Sequence, residues 1–352
     1  MVLHRARRIQ ASKERKVGYE RQKGRFVSIS LPALASLIVL GVGLTASSAD
    51  DSSITREPRT RSAPRVAGDA DRLAPNIRID ADLVLIPVLV TDRNDRLITG
   101  LEREHFKLFE DKVEQVITQF ASEDAPVSIG LVFDCSGSMG PKLAKSRAAV
   151  SEFLRTANPE DEFLLVSFND RAQLLTTFTN RIEEIQNRMV YMESRGRTAL
   201  LDAIYLALHE MKNSKHPRKA LLIISDGGDN ASRYSYRQVR NYVREADVQI
   251  YSIGILEPPS TRGRTPEELA GPTLLEEIAQ ETGGRLYEVD DPGQLPDIAN
   301  KIGVALRNEY LLGYAPAQAK HDGKYHRVSV KIEPPRGLPP LHATFRSGYY
   351  AR

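Results

Sequence analysis

The chain has 352 residues, enough for about two domains beyond a targeting segment. Its composition, 41% hydrophobic and 27% charged with one cysteine, excludes collagen-like, low-complexity and disulfide-rich classes. The net charge of +3 is unevenly placed: residues 1–25 carry +7, residues 26–49 none, and residues 50–352 the remaining −4, so the body offers no excess of positive charge for nucleic acid.

The N-terminal segment comes first. Phe26 to Ala46 is an uncharged, mostly apolar run of 21 residues, long enough to span a bilayer. Basic residues precede it, so the N-terminus is expected to stay cytoplasmic and the body to be exported. Ser47-Ser48-Ala49 supplies a small-residue pattern that a signal peptidase could cut. The basic region is long for a signal peptide, which favours an uncleaved single-pass membrane anchor with a periplasmic or extracellular body. Cleavage near Ala49 would instead give a secreted protein. No cysteine stands directly after the run, so a lipoprotein anchor is not expected.

Residues 50–76, rich in Asp, Ser, Arg and Pro without a period, read as a flexible linker. Residues 77–122 read as a β segment. Ile77, Ile79, Ala81, Leu83 and Leu85 alternate with polar neighbours early in a run that continues to Val90. Pro87 inside that run predicts an edge strand or a bulge. Thr91 to Asp95 is a turn signal, and Phe106–Glu110 with Val113–Phe120 predicts a hairpin across Asp111-Lys112.

Residues 123–308 alternate strand and helix. The apolar runs at 127–133, Phe163–Phe168, Ala220–Ile224 and Val248–Ile255 fit parallel strands covered on both faces. Gln173–Thr177 predicts a short edge strand. Helical spacing is read at Lys142–Thr156, Thr198–Met211, Tyr236–Ala246, Thr273–Thr282 and Leu295–Asn308. Glu257 to Pro272, with Pro258-Pro259, Gly263 and Pro266, reads as a long loop, either a surface insertion or a partner-contacting segment. The expectation is an α/β fold with a doubly wound, mostly parallel sheet of about six strands. Residues 309–352 return to β, with strands at Tyr310–Tyr314, around Val328, Val330 and Ile332, and at Phe345–Tyr350. Neither terminal β segment can bury a face alone, so the two are expected to pair into one small flanking β unit.

The chemistry is concentrated in Asp134-Cys135-Ser136-Gly137-Ser138, at the carboxyl end of the first central strand. Ligands of open α/β sheets bind at that rim. Asp-x-Ser-x-Ser presents hard oxygen ligands, which suit a small divalent cation such as Mg2+. Two further oxygen ligands follow on the same rim: Thr198 in a loop entering a helix, and Asp226 just after the strand Ala220–Ile224. Each residue has a plainer use as a helix cap or turn former; their joint placement favours a metal site. Ser136-Gly137-Ser138-Met139-Gly140 fits neither a dinucleotide fingerprint nor a phosphate loop.

With Asp134, Ser136, Ser138, Thr198 and Asp226 in place, residues 123–308 resemble the von Willebrand factor A-type domain family and its metal-ion-dependent adhesion site. The flanking segments Val84–Phe120 and Tyr310–Tyr350 are similar to those of bacterial, acidobacterial-type exported proteins carrying this domain. The resemblance implies that Ser136, Ser138 and Thr198 bind Mg2+ through hydroxyls, with Mn2+ or Ca2+ as substitutes. It implies that Asp134 and Asp226 act through water or hold the hydroxyls. It also implies a protein partner that completes the metal shell with an acidic side chain, and a role in adhesion or, alternatively, in envelope assembly. No candidate base sits in the motif loops, so an enzyme is not expected. Asp229 reads as a turn or supporting residue, His209 as structural, and Cys135 as inert packing in place of the threonine common at this position.

Overall fold

The structure, a computed structural model, describes residues 83–122, 124–255, 266–316 and 322–351, with the backbone alone at 266–269. The predicted membrane segment 26–46, the linker and residues 77–82 lie outside the described residues. Among the described residues no helix is long and apolar enough to cross a membrane.

The N-terminal strands are β1 (Val84–Thr91), β2 (Phe106–Glu110), β3 (Val113–Gln115) and β4 (Gln119–Ala121). The α/β region follows as β5 (Val127–Asp134), α1 (Leu143–Leu154), β6 (Glu162–Phe168), β7 (Ala172–Thr179), α2 (Ile182–Val190) and α3 (Leu200–Glu210). It continues as β8 (Arg218–Ser225), α4 (Tyr236–Glu245), β9 (Gln249–Ile255), α5 (Pro266–Glu281), β10 (Leu286–Val289) and α6 (Leu295–Arg307). The chain closes with β11 (Tyr310–Tyr314), β12 (Tyr325–Ile332), β13 (His342–Phe345) and β14 (Gly348–Tyr350).

The central sheet has six strands in the order β10-β9-β8-β5-β6-β7. All neighbours are parallel except β7, which runs antiparallel to β6 at one edge. The apolar runs are continuous because both faces are covered. In β5, Ile129, Leu131 and Phe133 enter the core beneath α1, α2 and α6, where Val150, Phe153, Ile185, Ile302 and Leu306 are also buried. Val132 points the other way, into the core beneath α3, α4 and α5 with Ile204, Val239 and Ile278. Each such fully buried aliphatic side chain contributes about 1.5–3 kcal/mol by leaving water. The chain winds outward from β5 to β6 and β7, then returns to β8 on β5's other side. Strand order therefore reverses between β5 and β8, and the loops after those two strands meet at the carboxyl rim.

Three details depart from the sequence reading. The short helix α2 and strand β10 were not anticipated. In α2 only Ile185 and Met189 are buried, too few to set a clear period. The predicted loop Glu257–Pro272 is helical from Pro266, and α5 runs through Pro272. Pro266 stands at the first helical position, where its missing N–H costs nothing. Burial of Leu275, Ile278 and Ala279 holds the helix together beyond Pro272.

The terminal segments do combine, but as two four-stranded sheets, β13-β1-β11-β4 and β14-β12-β2-β3. Each contains strands from both ends of the chain. Their facing sides share one core of Ile86, Val88, Phe106, Leu108, Tyr310, Leu312 and Val330. Two predicted strands are consequently cut in half. Val113–Phe120 becomes β3 and β4, in different sheets, with buried Ile117 at the crossing. Phe345–Tyr350 is divided in the same way between the end of β13 and β14. β1 is an inner strand, contrary to the expectation from Pro87. Its pairing with β13 begins only at Val88, so at Pro87 the strand has a neighbour on one side alone, where a missing N–H is tolerated.

Candidate metal centre

β5 delivers Asp134 to the rim fully buried. Both of its oxygens are taken: the Ser136 amide donates to Oδ1 at 2.8 Å and the Ser225 hydroxyl to Oδ2 at 2.5 Å. Asp134 therefore braces the loop after β5 against the end of β8. From there an oxygen chain runs outward. Ser136 Oγ lies 3.1 Å from Ser138 Oγ, which donates to Asp226 Oδ1 at 3.1 Å.

Thr198 reaches the rim differently. The loop before α3 is tied to the first motif by Arg195 N to Cys135 O at 2.9 Å and Gly137 N to Gly196 O at 3.0 Å. Thr198 itself is tied to the loop after β8: its amide donates to Asn230 Oδ1 at 2.9 Å, and its carbonyl accepts from Asn230 N and Ala231 N at 3.0 Å. Four of the five predicted residues thus form one hydrogen-bonded chain. Thr198 is fastened beside them through its backbone.

The electrostatics of the rim are dominated by burial of Asp134. Burial, and then the neighbouring Asp226 carboxylate, push Asp134 up to about 7 against the pull of its Ser225 and Ser136 donors. A divalent ion at the Ser136–Ser138–Asp226 oxygens would favour the charged form of Asp134. The donors are all oxygens, which fits a hard ion such as Mg2+. The Cys135 thiol is no competitor: burial, and then Asp134, push it up to about 12.

The sequence reading missed two supporting residues. Lys142, buried one residue before α1, places Nζ 2.9 Å from Asp226 Oδ2. It neutralises the outer oxygen of that carboxylate and leaves Oδ1 turned to Ser138. Its only sequence signal is a lysine four residues beyond Ser138. Gly271 of α5 touches the loop after Asp226, where an added Cβ would lie 2.2 Å from Gly228 N and 2.7 Å from Gly227 Cα. Gly271→Ala must displace that loop, since backbone cannot swing aside as a side-chain tip can. We expect Mg2+ affinity to fall about tenfold, or about 1.4 kcal/mol, with no ligand altered. Unchanged affinity by calorimetry would show that the loop tolerates the shift.

Asp229 is a supporting residue: Oδ1 accepts from Leu201 N at 3.2 Å and Ser232 Oγ at 2.5 Å, holding the start of α3. His209 is exposed near the end of α3.

Residues 129–228 match the family model for the von Willebrand factor type A domain. An uncharacterized protein of Borreliella burgdorferi is 28% identical over 188 residues, covering 47% of this chain and 55% of its own. Inter alpha-trypsin inhibitor, heavy chain 4 of Mus musculus is 28% identical over 218 residues, covering 56% of this chain and 22% of its own. Among solved structures, von Willebrand factor type A from Catenulispora acidiphila is 13% identical, with a TM-score of 0.47 over 78% of this chain and 75% of its own. The chain spans about half, or less, of the length of these two curated relatives. By this sequence match over residues 129–228, which hold Asp134, Ser136, Ser138, Thr198 and Asp226, the α/β part of the chain is similar to the von Willebrand factor type A domain family.

Proposed function

We propose that this chain is an exported binding protein, membrane-tethered through residues 26–46 or secreted after cleavage near Ala49. It captures a protein partner through a divalent cation, Mg2+ in the first instance, at Asp134, Ser136, Ser138, Thr198 and Asp226. The observation that carries this reading is the balance of charge around the Ser136–Ser138–Asp226 oxygens. Two donors are neutral hydroxyls, Asp134 is occupied by Ser136 and Ser225, and Asp226 is half neutralised by Lys142. A cation held there keeps much of its positive charge, and an acidic side chain of the partner is the natural group to complete its shell. Neutral hydroxyl ligands supply little base for activating water, which favours a binding module over an enzyme.

A second reading is favoured by the bracing role of Asp134. Because it joins two loops internally, a metal could serve only to stiffen the rim of an envelope assembly protein. Calorimetric titration of the full chain with Mg2+, with and without acetate as a surrogate carboxylate, tests the first reading. We expect saturable binding that acetate strengthens. Folded protein that binds no Mg2+ would refute it. Binding that raises the melting temperature but is indifferent to carboxylate would favour the assembly role.

A further inference from the structure

A second cluster of ligand-type side chains lies in the flanking β unit. The hairpin of β2 and β3 closes through Asp111 and Lys112, both with positive φ (47° and 73°). β12 pairs with β2 up to Val328 opposite Glu110, so His326 falls beside the turn. His326 Nδ1 lies 2.9 Å from Asp111 Oδ2 and 3.5 Å from Glu110 Oε1. One ligand atom from each of these three residues lies within 4.8 Å of the others.

Each group is held from behind by something outside the trio. Glu110 Oε2 accepts from the hydroxyls of Tyr314 at 2.6 Å and Tyr349 at 3.0 Å, which leaves Oε1 toward the imidazole. Asp111 Oδ1 accepts from the Arg327 amide at 3.0 Å, which leaves Oδ2 free to face inward. His326 Nε2 faces Asp322 Oδ1 at 3.3 Å. A proton on Nε2 shared with Asp322 would leave the Nδ1 lone pair for a ligand, the carboxylate–histidine arrangement that orients metal-binding imidazoles. The side chains of His326 and Glu110 are only 13% and 11% exposed. Three carboxylates converge on one imidazole; Lys324 is 3.7 Å from Asp322 Oδ2, the oxygen other than the one facing His326, and Arg327 acts on Asp111.

We propose that Glu110, Asp111 and His326 form a second divalent-cation site, separate from the rim site and suited to zinc. Tetrahedral zinc with bonds near 2.0–2.1 Å separates its ligand atoms by about 3.3 Å. The observed 2.9 and 3.5 Å straddle that value. Imidazole nitrogen beside two carboxylates selects a zinc-type ion over Mg2+ or Ca2+, and the fourth position is left for water. The competing occupant is a proton on Nδ1, which would bridge the same carboxylates as an imidazolium. A bound metal would pin the strained turn to β12 and, through Tyr349, to β14.

Cobalt separates the two occupants, because tetrahedral Co2+ absorbs visible light and zinc displaces it. The test uses the full chain carrying Asp134→Ala, which removes the rim site from the count. We expect one Co2+ per chain with visible bands, displaced by one equivalent of Zn2+. Adding His326→Gln, or Asp111→Asn should His326→Gln fail to fold, is expected to weaken binding by about 100-fold or more. Folded Asp134→Ala protein that binds no Co2+ at millimolar concentration would overturn the proposal and leave the imidazolium bridge. Equal binding with and without His326 would also overturn it, since the ligands would then lie elsewhere.

Discussion

Asp134→Ala is expected to abolish Mg2+ binding, and with it any metal-dependent capture, in a domain that stays folded. The side chain accepts one amide and one hydroxyl hydrogen bond, and leaving two such buried donors unmet would cost about 1–3 kcal/mol each. Against that, the substitution removes a fully buried carboxylate that burial and Asp226 have already pushed up to about 7. The two effects oppose each other, so the melting temperature in EDTA should change by only a few degrees. Loss of the Asp134 brace releases the Ser136 and Ser138 loop from β8, so the hydroxyls no longer meet Asp226 in one place. In the wild type, Mg2+ at 100 times its dissociation constant should add about 2.7 kcal/mol of stability by mass action. In the variant that increment should vanish. Melting with Mg2+ and with EDTA, beside calorimetry, reads both quantities. An equal Mg2+ increment in the two proteins would mean that the ion binds elsewhere.

Arg218→Ala is expected to be the most damaging single substitution outside the site, at about 3–5 kcal/mol. Arg218 opens β8, and its guanidinium reaches Ala125 O at 3.0 Å, Leu306 O at 2.5 Å and Glu309 Oε2 at 3.2 Å. Glu309 also accepts from Gln249 at 3.0 Å and Tyr251 at 2.8 Å through Oε1. This fully satisfied buried network joins the α/β sheet, the end of α6 and the start of β11. Removing the guanidinium leaves the buried Leu306 carbonyl and Glu309 carboxylate, and the part-buried Ala125 carbonyl, with one fewer donor each. Arg218→Lys keeps the charge but not the fork, and should recover only part of the loss.

The deficit should depend on pH. Burial raises the Glu309 carboxyl, and the Arg218 guanidinium is the main influence holding it down. Without Arg218 it rises further. A carboxyl whose folded pKa exceeds its unfolded value destabilises the fold when pH is above both, and that cost is relieved as pH falls through the raised folded value. Urea denaturation at pH 7.5 and pH 5 should therefore show a smaller gap between variant and wild type at the lower pH. A gap that widens on acidification would refute this account of Glu309.

Much of this was legible without coordinates. The run from Val127 to Phe133 announces a strand covered on both faces. Asp134, Ser136, Ser138 and Asp226 are placed by their distance from such strand ends, and hydrophobic runs locate strand ends well. The flanking β unit followed from the inability of either terminal segment to bury its own face.

What tertiary structure decided has a common physical character. α2 and β10 are short, and their few buried residues set no readable period. α5 runs through Pro272 because Leu275, Ile278 and Ala279 bury against the sheet, and propensity alone argued otherwise. The predicted strands Val113–Phe120 and Phe345–Tyr350 divide because two sheets, not one, share the core they face. Lys142 on Asp226, Gly271 on Gly228, Arg218 on Glu309 and His326 on Asp111 each join residues between 43 and 215 positions apart. By itself the sequence determined the periodic elements and the rim on which the oxygen ligands stand, because both depend on neighbours a few residues away. Only the tertiary structure decided which distant charges and glycines meet, because that depends on how whole elements pack.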